Sequence, residues 1–206
     1  MKIKAVIYDL DGTLVDSHKI HVDSYLIPLN KRKIYPKPED ILSSFGTFDF
    51  VIFRKFSPKS SEEEIRQMAR ERKQILIEEV NQTRRMPYSD EILQFLKGKT
   101  KLALATGTFG EMTYKTLEMF DWKKYFDVIV VGEDVKKSRP DPEILNTALD
   151  KLKTDSDKAV YVGDSIYDVQ CAKNANVKVI ALGNFKEADF TAKNLLEVKT
   201  ILERFL

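Results

Sequence analysis

The chain has 206 residues, 43% of them hydrophobic, enough for one domain of ordinary size or for a core domain carrying a smaller insert. Its 34 basic and 32 acidic residues leave a formal charge of +2, which excludes the broad basic footprint of a nucleic-acid or anionic-membrane binder and suits a small anionic ligand. One cysteine, Cys171, excludes an internal disulfide and a multi-cysteine zinc site, and with no charged-then-apolar leader and no apolar run near ~20 residues a cytoplasmic protein is expected.

Residues 3–8 form an apolar run, and Asp9-Leu10-Asp11-Gly12-Thr13-Leu14-Val15 follows directly. Two carboxylates therefore stand just past the end of a predicted buried strand, where the ligands of parallel sheets bind. Side chains two apart on an extended chain face the same way, a relation that loosens at the turn expected at Gly12. Two acids facing one pocket need a cation, a shared proton or divided roles. Read alone, the same residues also suit an ordinary strand-to-helix bend.

Residues 16–85 contain no buried strand pattern and read as a helical insert. A helix is predicted over 19–29, and another begins at Ser61-Glu62-Glu63-Glu64, a capping-box pattern, and runs towards Val80 behind a stripe of Ile65, Met68, Ala69, Ile75 and Leu76. Phe45, Phe48, Phe50, Phe53 and Phe56 crowd the middle; such a cluster is read first as the core of a small domain, with a pocket lining as the alternative. Further short apolar runs lie at 102–105, 128–131, 159–162 and 179–182, separated by helical patterns at 111–120, from Asp141-Pro142 onward and at 165–175, with a last helix at 193–205. Strand and helix alternating at this spacing predict a three-layer α/β fold, a parallel sheet with right-handed crossovers.

Three of the later strand ends carry polar groups as the first does. Thr106-Gly107-Thr108 offers a hydroxyl and an approachable backbone N–H; Lys136-Lys137-Ser138-Arg139-Pro140 sets cations before a helix N-terminus; Gly163-Asp164-Ser165-Ile166-Tyr167-Asp168 supplies two more carboxylates around a turn. Taken together, these segments resemble the four motifs, in order, of the haloacid dehalogenase superfamily of phosphohydrolases, over almost the whole chain. Asp9-Leu10-Asp11-Gly12-Thr13 is similar to the first motif, Thr106 to the second, Arg139 with Pro140 to the third, and Asp164 with Asp168 to the fourth. The insert resembles the helical cap of the phosphoglycolate phosphatase and β-phosphoglucomutase branch. The resemblance implies a doubly wound core of strand order 5-4-1-2-3 over residues 1–15 and 86–206, with the cap over 16–85.

The chemistry that goes with this resemblance can also be argued. A phosphomonoester dianion repels a bare carboxylate, so a cation is needed, and Mg²⁺ takes a few carboxylate oxygens, phosphate and water. The expected ligands are Asp9, Asp164 and the backbone carbonyl of Asp11, with Asp168 holding metal-bound water. Asp9 is then the nucleophile that forms an aspartyl-phosphate, and Asp11 the general acid and later base. Thr106, the Gly107 N–H and Arg139 are expected on the phosphoryl oxygens. The family usually has Lys before that proline; Arg139 is favoured as the phosphate-binding cation, with Lys136 or Lys137 as the competing assignment. His21 aligns with a cap histidine of the mutase branch and Asp16 suits the hinge. His18 is read as a surface or hinge residue, and a zinc pair of the two histidines lacks a third ligand.

The expected activity is hydrolysis of a small-molecule phosphomonoester, with phosphoglycolate the first substrate to test, by a monomer unless a homodimer forms. A phosphosugar mutase is the nearest alternative, ahead of dehalogenase or phosphonate chemistry. A non-catalytic regulatory protein on the same fold stands apart from these. Arg54, Lys55 and the phenylalanine segment are the candidate substrate contacts of the cap.

Overall fold

The apolar runs pair as a sheet because each has a neighbour that covers its backbone groups. In the computed structural model, which describes residues 2–206, β1 (Ala5–Tyr8) leads into the two-residue strand β2 (Val15–Asp16) and then into α1 (His18–Lys31), α2 (Pro38–Leu42), α3 (Asp49–Phe56) and α4 (Glu62–Glu78). The chain returns through β3 (Arg84–Arg85) and α5 (Ser89–Leu96), and continues as β4 (Lys101–Ala105), α6 (Gly110–Met119), β5 (Val128–Val130) and α7 (Glu143–Leu152). It ends with β6 (Ala159–Gly163), α8 (Ile166–Asn174), β7 (Lys178–Leu182), β8 (Phe190–Ala192) and α9 (Leu195–Leu202).

The six-stranded sheet has the order β5-β4-β1-β6-β7-β8 with every pair parallel. Counted over these core strands alone, the order from one edge is 6-5-4-1-2-3: the expected five-strand order with one further edge strand, β8. Order reverses beside β1, so the crevice at its carboxyl end is the switch point of the sheet.

Strand alternation divides the core. Val6, Tyr8, Leu102, Leu104, Val160 and Val162 point to one face, where Leu93 and Leu96 of α5, Trp122 and Val198 of α9 cover them. Ala5, Ile7, Ala103, Tyr161 and Val179 point to the other, against Leu145 and Leu149 of α7 and Val169 and Ala172 of α8. Burying each large aliphatic side chain stabilises the fold by roughly 1.5–3 kcal/mol, which sets this register firmly, since a slip of one residue would exchange the two faces.

Helices α1 to α4 have an apolar core of their own, built on Tyr25, Leu29, Ile41, Ile52, Phe53 and Met68. The expected capping box is present: Ser61 N donates to Glu64 Oε2 at 2.7 Å and Glu64 N to Ser61 Oγ at 3.3 Å. Where the chain leaves and re-enters the α/β layer, β2 and β3 pair antiparallel, Val15 opposite Arg85 and Asp16 opposite Arg84. Ile20, Leu76 and Met112 then pack α1 and α4 against α6. No helix among the described residues is long and apolar enough to cross a membrane.

Candidate active site

Alternation along β1 decides where Asp9 goes. Ala5 and Ile7 face the α7/α8 layer, and Asp9, two further on and 3% exposed, meets groups from that layer. Arg139 Nη1 lies 3.2 Å from Asp9 Oδ2 and 3.1 Å from the Tyr161 hydroxyl, and it also pairs with Asp168. Asp168 Oδ1 accepts from Arg139 and from Tyr161 at 2.7 Å, and its Oδ2 accepts from Ser165 N at 3.0 Å and Ser165 Oγ at 2.5 Å. The Ser165–Asp168 exchange is also the capping box that starts α8. All four acceptor directions of Asp168 are thus met by protein donors, which tie it to Arg139, Tyr161 and the start of α8.

Asp9 Oδ1, by contrast, is buried and has no hydrogen-bond partner, and Arg139 Nε also has none. An orphaned carboxylate oxygen is costly unless something outside the protein completes it. Oxygens of Asp9, Asp164 and Asp168 lie within 4.8 Å of one another. Burial, aided by these neighbouring carboxylates and opposed by Arg139, pushes the Asp9 carboxyl well above its usual range, and burial also raises Asp164. Hard oxygen donors, an unpartnered oxygen and raised carboxyl groups together fit a divalent cation such as Mg²⁺. Gly12 keeps that space open. Its φ is +82°, and a Cβ there would stand 2.2 Å from Asp164 Oδ2.

The side chain of Asp11 bridges the helical insert and the loop after β4. Its Oδ1 accepts from Ser17 Oγ at 2.6 Å and lies 3.1 Å from His21 Nε2, and its Oδ2 accepts from Thr108 Oγ1 at 2.7 Å and Thr106 Oγ1 at 3.5 Å. Burial works against ionisation of Asp11, but the His21, Ser17 and Thr108 contacts outweigh it and hold the carboxyl well below the usual range. On the far side of the imidazole, Arg72 Nη2 is 3.1 Å from His21 Nδ1. A guanidinium can only donate, so Nδ1 carries the lone pair and Nε2 the proton that points at Asp11. Arg72 is itself buried, held by Asp49 Oδ2 at 3.0 Å and stacked 4.2 Å over the Tyr25 ring.

Thr106 is buried at the end of β4, its hydroxyl oxygen accepting from Thr108 N at 3.1 Å. Gly107 is exposed on the wall of the cavity, and Gly132 must lack a side chain because a Cβ there would meet Gly107 O at 2.4 Å. The structure thus brings Asp9, Asp11, Gly107, Arg139, Asp164 and His21 to one cavity of about 560 Å³, with Thr106 and Asp168 directly behind them.

The competing cations do not join them. Lys136 and Lys137 are exposed, their backbone N–H groups donating to Glu143. Arg54 and Lys55 brace the insert internally, on Ser60 O and Glu62 and on Ser44 Oγ. His18, read from sequence as a surface or hinge residue, lines the cavity with its Nε2 3.5 Å from Asp164 Oδ2. The phenylalanine cluster splits: Phe53 is in the core of the insert and Phe56 packs on it, Phe48 and Phe50 line the cavity, and Phe45 does both. Ser17, Arg72, Thr108 and Tyr161 were not singled out. Thr108 alone had a signal, its place in the Thr-Gly-Thr turn after β4.

The family described as haloacid dehalogenase-like hydrolase matches residues 6–182. A phosphorylated carbohydrates phosphatase of Thermotoga maritima is 33% identical over 186 residues, covering 86% of this chain and 84% of that protein. The pyrophosphatase PpaX of Bacillus mycoides is 30% identical over 186 residues, covering 88% and 84%. Among solved structures, a β-phosphoglucomutase from Clostridium difficile superposes with a TM-score of 0.87 over 98% of this chain and 97% of that one, at 22% identity, a likeness of fold alone.

Proposed function

The chain belongs to the haloacid dehalogenase-like hydrolase family, and from that premise we propose that it is a Mg²⁺-dependent phosphatase of a small phosphorylated metabolite that works through an aspartyl-phosphate. It is a phosphate-ester hydrolase of that family, whose relatives are named a phosphorylated carbohydrates phosphatase and a pyrophosphatase. The observation that carries the finer reading is the buried, unpartnered Oδ1 of Asp9 beside the Asp164 carboxylate at the switch point of the sheet.

In this reading Asp9 and Asp164, with the Asp11 carbonyl, hold the cation, whose bound charge lets a carboxylate and a phosphate dianion meet. Asp9 attacks phosphorus. Arg139, fixed by Asp168 and Tyr161, and Thr106 with the Gly107 N–H hold the phosphoryl oxygens as charge moves between attacking and leaving groups. Asp11 rests as a carboxylate, ready to take a proton from the hydrolytic water; to serve first as the acid it must gain a proton, which an arriving dianion favours. Residues 16–85 act as a cap that excludes water from the first transfer.

Phosphate release from a panel of phosphometabolites, with Mg²⁺ and with a chelator, tests the proposal. Cation-dependent turnover of at least one ester, lost in Asp9→Asn, is expected, and a panel with no turnover would reject it. The contact of His21 with Asp11 favours a phosphosugar mutase as the second reading. Incubation with a hexose 1-phosphate separates the two by whether hexose 6-phosphate or free phosphate accumulates.

A further inference from the structure

The phosphatase reading leaves the aromatic lining of the cavity unexplained, although Phe45 stands 5.9 Å from the His21 ring. Phe45 and Phe48, on the segment that joins α2 to α3, and Phe50, in the first turn of α3, line the cavity together with Phe109. Phe48 and Phe50 stand near-parallel, 30° between planes and 5.8 Å between centroids, and Phe50 is 57% exposed. Phe45 and Phe48 are partly buried, and an aromatic group left open to a cavity in this way marks a binding surface, because the same area costs free energy when it faces only water.

Charge narrows what that surface can receive. A second phosphoryl group or a carboxylate on the substrate would need a free cation beside the rings, and each of the cap arginines and lysines lining the cavity already faces an acid: Arg72 with Asp49 at 3.0 Å, Arg70 with Glu63 at 2.7 Å, Lys73 with Glu111 at 3.8 Å. Asp49 and Glu133 line the same cavity and oppose further negative charge. A volume of about 560 Å³ lies within the range of roughly 300–1,000 Å³ that encloses a whole organic ligand. Pyrophosphate or phosphoglycolate would leave the phenylalanine wall wet.

We propose that the site selects phosphomonoesters whose alcohol carries a planar, uncharged aromatic ring, held by Phe45, Phe48 and Phe50 while the phosphoryl group lies at Asp9. This rests on the phosphatase reading and adds the class of leaving group. Hydrolysis transfers the phosphoryl group to Asp9 and then to water, and releases the ring-bearing alcohol with a proton restored to its oxygen.

The test compares kcat/KM with Mg²⁺ for adenosine 5′-monophosphate and 4-nitrophenyl phosphate, in which the ring stands far from and close to phosphorus, against inorganic pyrophosphate and 2-phosphoglycolate. At least one aromatic ester is expected to exceed both small substrates about tenfold, the scale of one ring-stacking contact. Phe48→Ser should reduce that ratio about tenfold, chiefly through KM. The variant should fold, because position 48 is the N-cap of α3, where serine is a preferred residue. The proposal is overturned if pyrophosphate or phosphoglycolate is the better substrate, or if the ratio survives both Phe48→Ser and Phe45→Ser. Should no ester be hydrolysed, the phosphatase reading itself fails. Calorimetric titration then decides: tighter binding of adenosine 5′-monophosphate than of pyrophosphate sustains the aromatic wall, and the reverse order overturns it.

Discussion

Arg139 Nη1 stands 3.2 Å from Asp9 Oδ2, while Asp9 Oδ1, equally buried, faces no protein donor. One oxygen of the proposed nucleophile is matched by a fixed cation and the other is left for a mobile one. A ligand that binds only the folded state stabilises it by about 2.7 kcal/mol at a hundredfold excess over Kd. Mg²⁺ should therefore raise the melting temperature over that in chelator, and Asp164→Asn should remove most of the increase. An equal increase in wild type and Asp164→Asn would place the cation elsewhere.

The Arg139–Asp168 pair makes a prediction that separates fold from chemistry. Both side chains are buried, and removing one leaves the other charge uncompensated, a loss of about 3–5 kcal/mol. Arg139→Met should be destabilised on that scale in urea titrations, and Arg139→Met/Asp168→Asn should regain part of it. Phosphate release should be lost in both. Regained activity in the double variant would show that Arg139 is structural only.

His18 gives the site a pH dependence in the absence of cation. Its hydrogen bond to Asp164 raises its pKa, against the opposing effect of burial. A histidine whose folded pKa exceeds its unfolded value of about 6.5 contributes stability that is present below that value and lost as pH rises through the folded one. In chelator, His18→Gln should melt below wild type at pH 6 and match it at pH 9. A deficit of the same size at both pH values would assign the loss to packing.

How much of this was readable beforehand varies with the kind of signal. The strands of the sheet interior declared themselves because they are buried on both faces and so read as unbroken apolar runs, as in Ala-Val-Ile-Tyr of β1. Strand β8 is only three residues, with Thr191 exposed, and is too short for periodicity to register. Acids at strand ends were legible because the sheet dictates where they go. Arg72 and Ser17 were not, since nothing in one sequence says that a cap arginine will reach a histidine 51 positions away. The phenylalanines were ambiguous for the same reason: composition marks the cluster, and only the fold divides it between core and cavity.

The Arg72–His21–Asp11 chain predicts a single imidazole tautomer. With Arg72 donating to Nδ1, ¹⁵N spectra should show His21 Nε2 protonated and Nδ1 bare near neutral pH. Arg72→Met removes the donor, and the single tautomer should give way to a mixture. If the spectrum of His21 is unchanged in the variant, Asp11 and not Arg72 sets the tautomer.

Gly12 and Gly98 form a matched pair that isolates the effect of space from that of strain. Both have positive φ, +82° and +75°, so an alanine at either is held in a conformation that costs roughly 1–2 kcal/mol. At Gly98 a Cβ would meet nothing within 4 Å, whereas at Gly12 it would stand 2.2 Å from Asp164 Oδ2 and 2.7 Å from His18 Nε2. The two variants should lose similar stability from backbone strain, and Gly12→Ala must in addition displace the Asp164 carboxylate. Gly98→Ala should keep wild-type kcat/KM and the Mg²⁺-dependent rise in melting temperature, while Gly12→Ala should lose at least tenfold in kcat/KM and most of that rise. Equal activity in the two would mean that Asp164 does not need its observed position, and the cation assignment would fall with it.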